Sequence, residues 1–340
     1  MKKTIITIIA VGVLALCAGT AYLINNNVND LDETPQNDSL VYFKKNTNLP
    51  DNIDVFAKDG EKTSDITPAM WQVTAPNGKS MYMLGTMHVQ KEESYPLPEY
   101  IEQAYRSCDK LASEINNVDV DPFYESCAPD PALKKDDSLK KHLTDEQYSD
   151  LKNYFSENGM DISDYDKYAP WYVFQQLNAL GESSGEFSAT IGIDRVLKIS
   201  ANCDDKENLS IETHEAKDTM YSSMPEDVIG LLIKKHCTTT KEQSAAALEE
   251  QYEAWKTGDT ERLCELTYDY SGLTDEEKPI MEKYYQQFVI DRNKIMAEKA
   301  KEYLEQDHQV FFIAGVSHFV GDDGIPELLK KDGYTVERVN

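Results

Sequence analysis

The stretch Tyr82-Met83-Leu84-Gly85-Thr86-Met87-His88 is an apolar run followed by Gly, two residues and His, and the chain repeats this pattern at Phe311-Phe312-Ile313-Ala314-Gly315-Val316-Ser317-His318. Apolar runs of this length, rich in aromatic and branched residues, predict buried strands. The Gly is expected to let the backbone leave the strand through a conformation that other residues resist. Because ligands bind at the carboxyl ends of parallel strands, we predict neighbouring strands whose two imidazoles converge on one metal-binding or acid/base site.

A single copy of this four-residue pattern is a weak signal, because a lone His after a strand is more often a satisfied loop or core residue. The duplication in the same strand-then-Gly context favours a functional pair, in a chain with 6 His. The other four lie in polar or charged surroundings and are predicted to be surface residues: His142, His214, His236 and His308.

The segments around the two copies predict an α/β fold. Trp71-Gln72-Val73 and residues 80–84 flank the turn signal Pro76-Asn77-Gly78, which favours a β-hairpin. A helical pattern over residues 99–108 and a short strand over 110–115 then predict a βαβ unit, with Glu114 on a strand adjacent to that of His88. We predict a central mixed sheet with flanking helices in a domain spanning residues 66–340, with a large helical insertion over about residues 122–303.

Composition and the N-terminus indicate an exported acidic protein. The 340 residues carry a formal net charge of -27, which disfavours binding to nucleic acid or to anionic lipid. Residues 1–24 have two Lys before an apolar stretch, typical of a signal peptide cleaved after Ala21 or of an uncleaved membrane anchor. Residues 25–65 predict an acidic, polar linker. Both alternatives place the domain outside the cytoplasm, either membrane-anchored or secreted.

The strongest candidate site consists of His88, His318 and Glu114. Two imidazoles and one carboxylate are a common ligand set for Zn, Mn or Co, with a position left open for water whose pKa the metal lowers. Glu114 is alternatively a general base beside the ligands, or a solvated residue at a strand end. The polar residues in otherwise apolar settings form a second group of candidates, for which capping or surface roles are the alternative: Asp194, Glu212, Arg292 and Asn293. Arg292 in particular could clamp a carboxylate or an oxyanion.

Short motifs spread along the chain resemble those of the TraB/GumN family, which includes the Tiki metalloproteases and bacterial pheromone-shutdown proteins. The resemblance covers roughly residues 71–339, and it rests on these stretches: Met83-Leu84-Gly85-Thr86-Met87-His88, Tyr95-Pro96-Leu97-Pro98, Ala112-Ser113-Glu114, Gly192-Ile193-Asp194, Ile211-Glu212-Thr213, Asp291-Arg292-Asn293-Lys294 and Gly321-Asp322-Asp323-Gly324-Ile325-Pro326. One departure is Lys217, in a region where family members often carry Gln.

The resemblance implies an α/β core with a helical insertion and a divalent-metal hydrolase centred on His88, His318 and Glu114. The Tiki members that the chain resembles are membrane-tethered proteases whose catalytic domain lies outside the cell. We therefore expect a metal-dependent peptidase or amide hydrolase that acts on an extracellular peptide or small amide. The alternative from a different class is a non-enzymatic surface protein that sequesters a peptide pheromone.

Overall fold

A single six-stranded mixed sheet forms the centre of the molecule, and the computed structural model describes residues 53–116, 129–180 and 186–340. The strands follow the order β4-β3-β5-β2-β1-β6 across the sheet. Their bounds are Met70–Thr74 for β1, Ser80–Thr86 for β2, Lys110–Ser113 for β3, Glu207–Ser210 for β4, Val310–Gly315 for β5 and Thr335–Arg338 for β6. With helices on both faces, this architecture confirms the predicted α/β fold.

The two strands that carry the duplicated pattern are neighbours, as predicted. β2 and β5 pair in parallel, with Leu84 opposite Ile313 and Thr86 opposite Gly315. The predicted hairpin is also present, since β1 and β2 pair antiparallel around a turn in which Gly78 has a φ of +86°. Parallel pairing in this register brings both histidines to the same edge of the sheet.

The predicted adjacency of the strands of Glu114 and His88 is wrong. β3 pairs with β5 and β4, so β5 lies between β3 and β2. All four of these strands run in the same direction, and Glu114 therefore still follows the carboxyl end of its strand at the edge where the histidines lie. The sequence could not reveal the interposed strand because β5 comes from almost 200 residues further along the chain.

Helices make up most of the segment between β3 and β5 and cover both faces of the sheet. Their bounds are Glu99–Ser107 for α1, Asp145–Glu157 for α2, Pro170–Leu180 for α3, Ile193–Cys203 for α4, His214–Ser222 for α5, Glu226–Thr238 for α6, Lys241–Lys256 for α7, Thr260–Thr267 for α8, Lys278–Tyr285 for α9, Asp291–Glu305 for α10 and Ile325–Lys331 for α11. Short 3-10 turns include Ala189–Ile191 and Val316–Phe319. The start of α2 is closed by a capping box between Thr144 and Gln147.

A π-helical turn, Gln286–Ile290, joins α9 to α10 in one continuous helical run. A π-turn adds a residue to the helical repeat and is often found at functional sites. Tyr284 in α9 and Phe288 in the turn itself pack into the core of the helical segment. On the α10 side, Met296 and Ala300 pack under the sheet. The turn therefore lies where one helix passes between two cores.

Alternating side chains of the central strands separate the core under the sheet from a third core on the opposite face. Leu84 and Phe311 face one side of the sheet, and Met83 and Phe312 face the other. The first core also takes in Ile53 and Val55, from the stretch predicted as a linker, so residues 53–65 include chain that packs on the domain. The rest of that linker and the predicted signal or anchor at residues 1–24 lie outside the described residues. Within the described part of the chain, no helix is long and apolar enough to cross a bilayer.

The prediction that four histidines lie on the surface holds only in part. His308 is exposed, but His236 is mostly buried, with its ring edge-on to Tyr154 and its Nε2 3.1 Å from the Tyr154 hydroxyl. Burial lowers the pKa of His236 to about 4, so this side chain is neutral at pH 7. A polar residue on the inner face of an amphipathic helix was mistaken for a surface residue because its neighbours in sequence, Lys234 and Lys235, are charged.

Candidate functional site

His88 follows β2 and is held by contacts from three sides. The Trp255 indole donates to the Gly85 carbonyl at 2.8 Å, and the Thr86 hydroxyl donates to the Ala314 carbonyl at 3.0 Å. The amide of Ile193, at the start of α4, donates to the Met87 carbonyl at 3.1 Å. Both sheet and helices therefore fix the backbone that carries the imidazole.

Gly315 forms the floor of the site, and its predicted role is wrong in one respect. Neither Gly85 nor Gly315 has a positive φ, so unusual backbone conformation does not explain the glycines. The explanation is space: a Cβ atom at Gly315 would lie 3.3 Å from Glu114 Oε1, 3.7 Å from His88 Nε2 and 3.8 Å from His318 Cδ2. The two histidines and the glutamate thus converge on one point, as the sequence predicts.

His318 is completely buried and its tautomer is set by Asn293. The Asn293 amide group donates to the Asp323 carbonyl at 2.8 Å, which turns Asn293 Oδ1 towards His318 Nδ1 at 2.6 Å. Nδ1 therefore carries the proton, and Nε2 presents a lone pair. Nε2 is buried without a hydrogen-bond partner in the structure. Burial, reinforced by the nearby Arg292 charge, lowers the pKa of His318 to about 3 and keeps the ring neutral.

The Nδ1 atom of His88 faces a carboxylate, whereas the Nδ1 atom of His318 faces an amide oxygen. Asp194 Oδ1 lies 3.2 Å from His88 Nδ1, an ion-pair contact without full hydrogen-bond alignment. Burial alone would lower the pKa of His88, but Asp194 outweighs it and the net shift is upward. The pKa of Asp194 falls to about 2 although burial opposes this, chiefly because His88 is close. Lys198, one turn further along α4, lies 3.7 Å from the other Asp194 oxygen.

Gly192 makes this contact possible. A Cβ atom at Gly192 would lie 2.1 Å from the His88 carbonyl oxygen, so no other residue fits without moving the backbone. The start of α4 therefore packs directly on the backbone of His88, and Asp194 reaches the ring from the first turn of the helix. The sequence presents Gly192-Ile193-Asp194 as a motif, but only the fold shows what the glycine is packed against.

Glu114, Arg292 and Glu212 form a buried network next to the two histidines. Glu212 takes Arg292 in a bidentate pair, at 2.9 Å from Nε and 2.6 Å from Nη2. The same Nη2 lies 2.7 Å from Glu114 Oε2, and the Gly315 amide donates to Glu114 Oε1 at 2.7 Å. Although burial opposes it, Arg292 holds the pKa of Glu114 well below its usual range. Glu114 is therefore an ionised carboxylate and a weak base, which favours a charge-stabilising or ligand role over general-base catalysis.

Arg292 is positioned for a different task from the oxyanion clamp suggested by the sequence. Its remaining nitrogen, Nη1, donates to the Phe288 carbonyl in the π-turn at 3.3 Å, and its side chain is only 8% exposed. With its nitrogens engaged, Arg292 orients Glu114 rather than a substrate. Its neighbour Asn293 orients His318, so the π-turn preceding both residues directs two adjacent side chains into the site.

The donor set fits a divalent ion in its two imidazoles but only in part in its carboxylate. Within the described residues, no three His, Cys, Asp or Glu side chains have the arrangement of a metal site. Two imidazoles nevertheless fit: the Nδ1 atoms of His88 and His318 each face an oxygen, as metal-binding histidines commonly do, and leave Nε2 free. Glu114 adjoins them, but Arg292 and the Gly315 amide occupy its oxygens. The donor chemistry therefore fits a metal, with Glu114 as the ligand that would have to share its present partners.

Comparisons with known proteins identify a matching family. The model of the TraB/PrgY/gumN family matches residues 69–338. Two curated relatives, from Escherichia coli strain K12 and from Shigella flexneri, are each called "Uncharacterized protein YbaP". Each is 22% identical over 258 residues, which cover 76% of this chain and 90% of the relative. No solved structure matches the chain.

Proposed function

The chain belongs to the TraB/PrgY/gumN family, and on that premise we propose that it is a divalent-metal-dependent hydrolase that cleaves an amide bond in a peptide outside the cytoplasm. The observation that supports this most directly is the unpaired, fully buried Nε2 of His318, which lies beside the point that His88 Nε2 faces. A buried imidazole nitrogen without a partner costs free energy, so a bound group that satisfies it is favoured.

The residues of the site divide the work between them. His88 and His318 would hold the metal, be it Mn, Co or Zn, and Glu114 would complete its surroundings. When bound, the ion would supply Lewis-acid activation of a carbonyl group and of water. Asp194 and Asn293 contact the Nδ1 atoms of the two rings and so orient both rings beside Gly315. Glu212 neutralises Arg292, and Arg292 in turn keeps Glu114 ionised and oriented.

Metal titration of the purified full-length chain tests the proposal. Calorimetry with Mn, Co and Zn should give a saturable site that is lost in His88→Ala and in His318→Ala. His308→Ala is the matched control, because His308 is exposed and precedes β5 at the end opposite to His318. Unchanged metal affinity in the His88 and His318 variants would refute the ligand assignment. Peptide cleavage is then followed by mass spectrometry of a peptide library with the metal-loaded protein.

A non-enzymatic role in sequestering a peptide is the second candidate. It is favoured by the engagement of both Glu114 oxygens, by Arg292 and by the Gly315 amide, which leaves the carboxylate without a free role in turnover. In the library experiment, stoichiometric retention of intact peptide would support this candidate, whereas cleaved products would support the hydrolase.

The location outside the cytoplasm also remains a proposal, which rests on residues 1–24 of the sequence. N-terminal sequencing of the native protein distinguishes its two forms. A chain that retains Met1 or Lys2 would be membrane-anchored, and a chain that begins at Tyr22 would be secreted. Recovery of the domain from the cytoplasm would refute both forms.

A further inference from the structure

Lys91, three residues after His88, has its ammonium group over two aromatic rings that pack edge to face against each other. Its Nζ lies 4.9 Å from the ring centroid of Phe187 and 4.9 Å from that of Tyr252. A carboxylate oxygen of Glu249 lies 2.7 Å away, and Glu186 contributes a weaker contact at 3.9 Å. The side chain is only 12% exposed. Two π faces and a carboxylate satisfy a largely buried cation, so this is a built enclosure and not a loose surface ion pair.

The enclosure joins the two segments that carry the His88–Asp194 pair. Lys91 belongs to the loop of His88, and Phe187 to the segment that leads into Asp194. Between them, Gln90 and Ser188 exchange both backbone hydrogen bonds, at 3.1 Å and 2.9 Å. The remaining walls, Tyr252 and Glu249, belong to α7, whose Trp255 also holds the Gly85 carbonyl.

These contacts leave little freedom at the other end of the paired segments. There Gly192 packs so closely on the His88 carbonyl that a Cβ atom would overlap it. The unit is therefore fixed at one end by the Lys91 enclosure and at the other by the contact between His88 and Asp194. A shift of about 1 Å at a catalytic constellation can cost orders of magnitude in function. The position of Asp194 against the imidazole consequently depends on a contact that touches neither residue.

We infer that Lys91 is a positioning residue, which holds Asp194 in place against His88 by locking the two segments together on α7. Its effect on metal binding rests on the proposed function, whereas its effect on the two segments does not. An ordinary surface ion pair would influence neither.

Substitutions of Lys91 in the full-length chain test the inference. Lys91→Met keeps the length of the apolar stem but removes the charge, and Lys91→Arg retains a cation for the two rings. The matched control is Lys256→Met, because Lys256 also lies over the Tyr252 ring, at 5.4 Å, but pairs only with Glu93 and Glu253. In the metal-free protein we expect Lys91→Met to speed hydrogen exchange at the Gln90 and Ser188 amides at least tenfold. Lys91→Arg and Lys256→Met should exchange as the wild type does.

Two further measurements complete the test. The ring nitrogen chemical shifts of His88 should change in Lys91→Met and be restored in Lys91→Arg. Metal affinity should fall roughly tenfold in Lys91→Met, the lower end of the cost of losing a group that orients a ligand. Should Lys91→Met fail to fold, Phe187→Leu removes one wall of the enclosure and should give the same changes. Wild-type exchange and ring shifts in Lys91→Met, or equal changes in Lys256→Met, would overturn the inference. A wild-type chain that binds no metal would defeat the proposed function while leaving these two readouts valid.

Discussion

The two glycines of the duplicated pattern should respond in opposite ways to the same substitution. A Cβ atom at Gly85 would lie 2.9 Å from Val316 Cγ2 and 3.2 Å from Val316 Cα, so the backbone after β5 would have to move. Overpacking of this kind costs about 1–3 kcal/mol of unfolding free energy. At Gly315 the tightest contact is 3.3 Å, with Glu114 Oε1, and the others are ordinary. Ala also lowers the conformational entropy of the unfolded chain, which stabilises the folded state by about 0.4–1 kcal/mol. We therefore expect Gly315→Ala to change the free energy of unfolding by less than about 1 kcal/mol.

Metal affinity should follow the reverse order, with the larger loss in Gly315→Ala. The new methyl group in Gly315→Ala would lie between Glu114 and the two imidazoles, and metal affinity should fall by roughly tenfold or more. Gly85→Ala places its methyl group against Val316 and not between Glu114 and the imidazoles, so its folded fraction should lose less metal affinity than Gly315→Ala. Urea unfolding and calorimetric metal titration of both variants make the comparison. If Gly85→Ala were the more stable variant and also the weaker metal binder, the assignment of the two glycines would be refuted.

Three further substitutions test single contacts. Asn293→Ala leaves the buried Nδ1–H of His318 without an acceptor, so unfolding should become easier by about 1–3 kcal/mol and metal affinity should fall roughly 10–100-fold by calorimetry. Gly192→Ala forces a Cβ atom to within 2.1 Å of the His88 carbonyl oxygen, and urea unfolding should show a loss of at least about 3 kcal/mol. The pKa of His236 is about 4 in the folded chain and 6.5 when the side chain is exposed. Acid therefore protonates the unfolded chain first, and the free energy of unfolding should fall by about 3 kcal/mol as the pH decreases from above 6.5 to 4. His236→Phe should remove this part of the pH dependence of the unfolding free energy. An unchanged pH profile in the variant would contradict the low pKa of buried His236.

The sequence was sufficient to predict the strands of the duplicated pattern and the convergence of their histidines. Residues 82–88 and 311–318 are continuous apolar runs, as buried parallel strands require, and each contains its own end signal. Glu114 was found in the same way, as the polar residue at the end of a short apolar strand. The exact register did not follow from the pattern, because Gly85 lies opposite Ala314 and Gly315 opposite Thr86, which offsets the two copies by one residue.

Long-range arrangement was beyond reach of the same reasoning. Strand order depends on which strand is inserted between two others, and no local pattern encodes that β5 separates β3 from β2. The π-turn was also hidden, because the amphipathic pattern of residues 279–304 continues through it without a break. The sequence therefore suggested an oxyanion or substrate clamp for Arg292, because its partners in the fold, Glu114 and Glu212, come from two distant segments of the chain.

The duplicated pattern is symmetric in sequence but asymmetric in its supports. His318 is oriented by a neutral amide and is completely buried, whereas His88 is oriented by a carboxylate and is 15% exposed. A carboxylate on Nδ1 makes the opposite nitrogen of His88 more electron-rich than that of His318. Among the described residues, the ion pairs nearby join three largely buried carboxylates, Glu114, Glu212 and Asp194, to the two cations Arg292 and Lys198. The site therefore holds an excess of negative charge beside the unpaired Nε2 of His318, and a divalent cation, as in the proposed function, would satisfy both features at once.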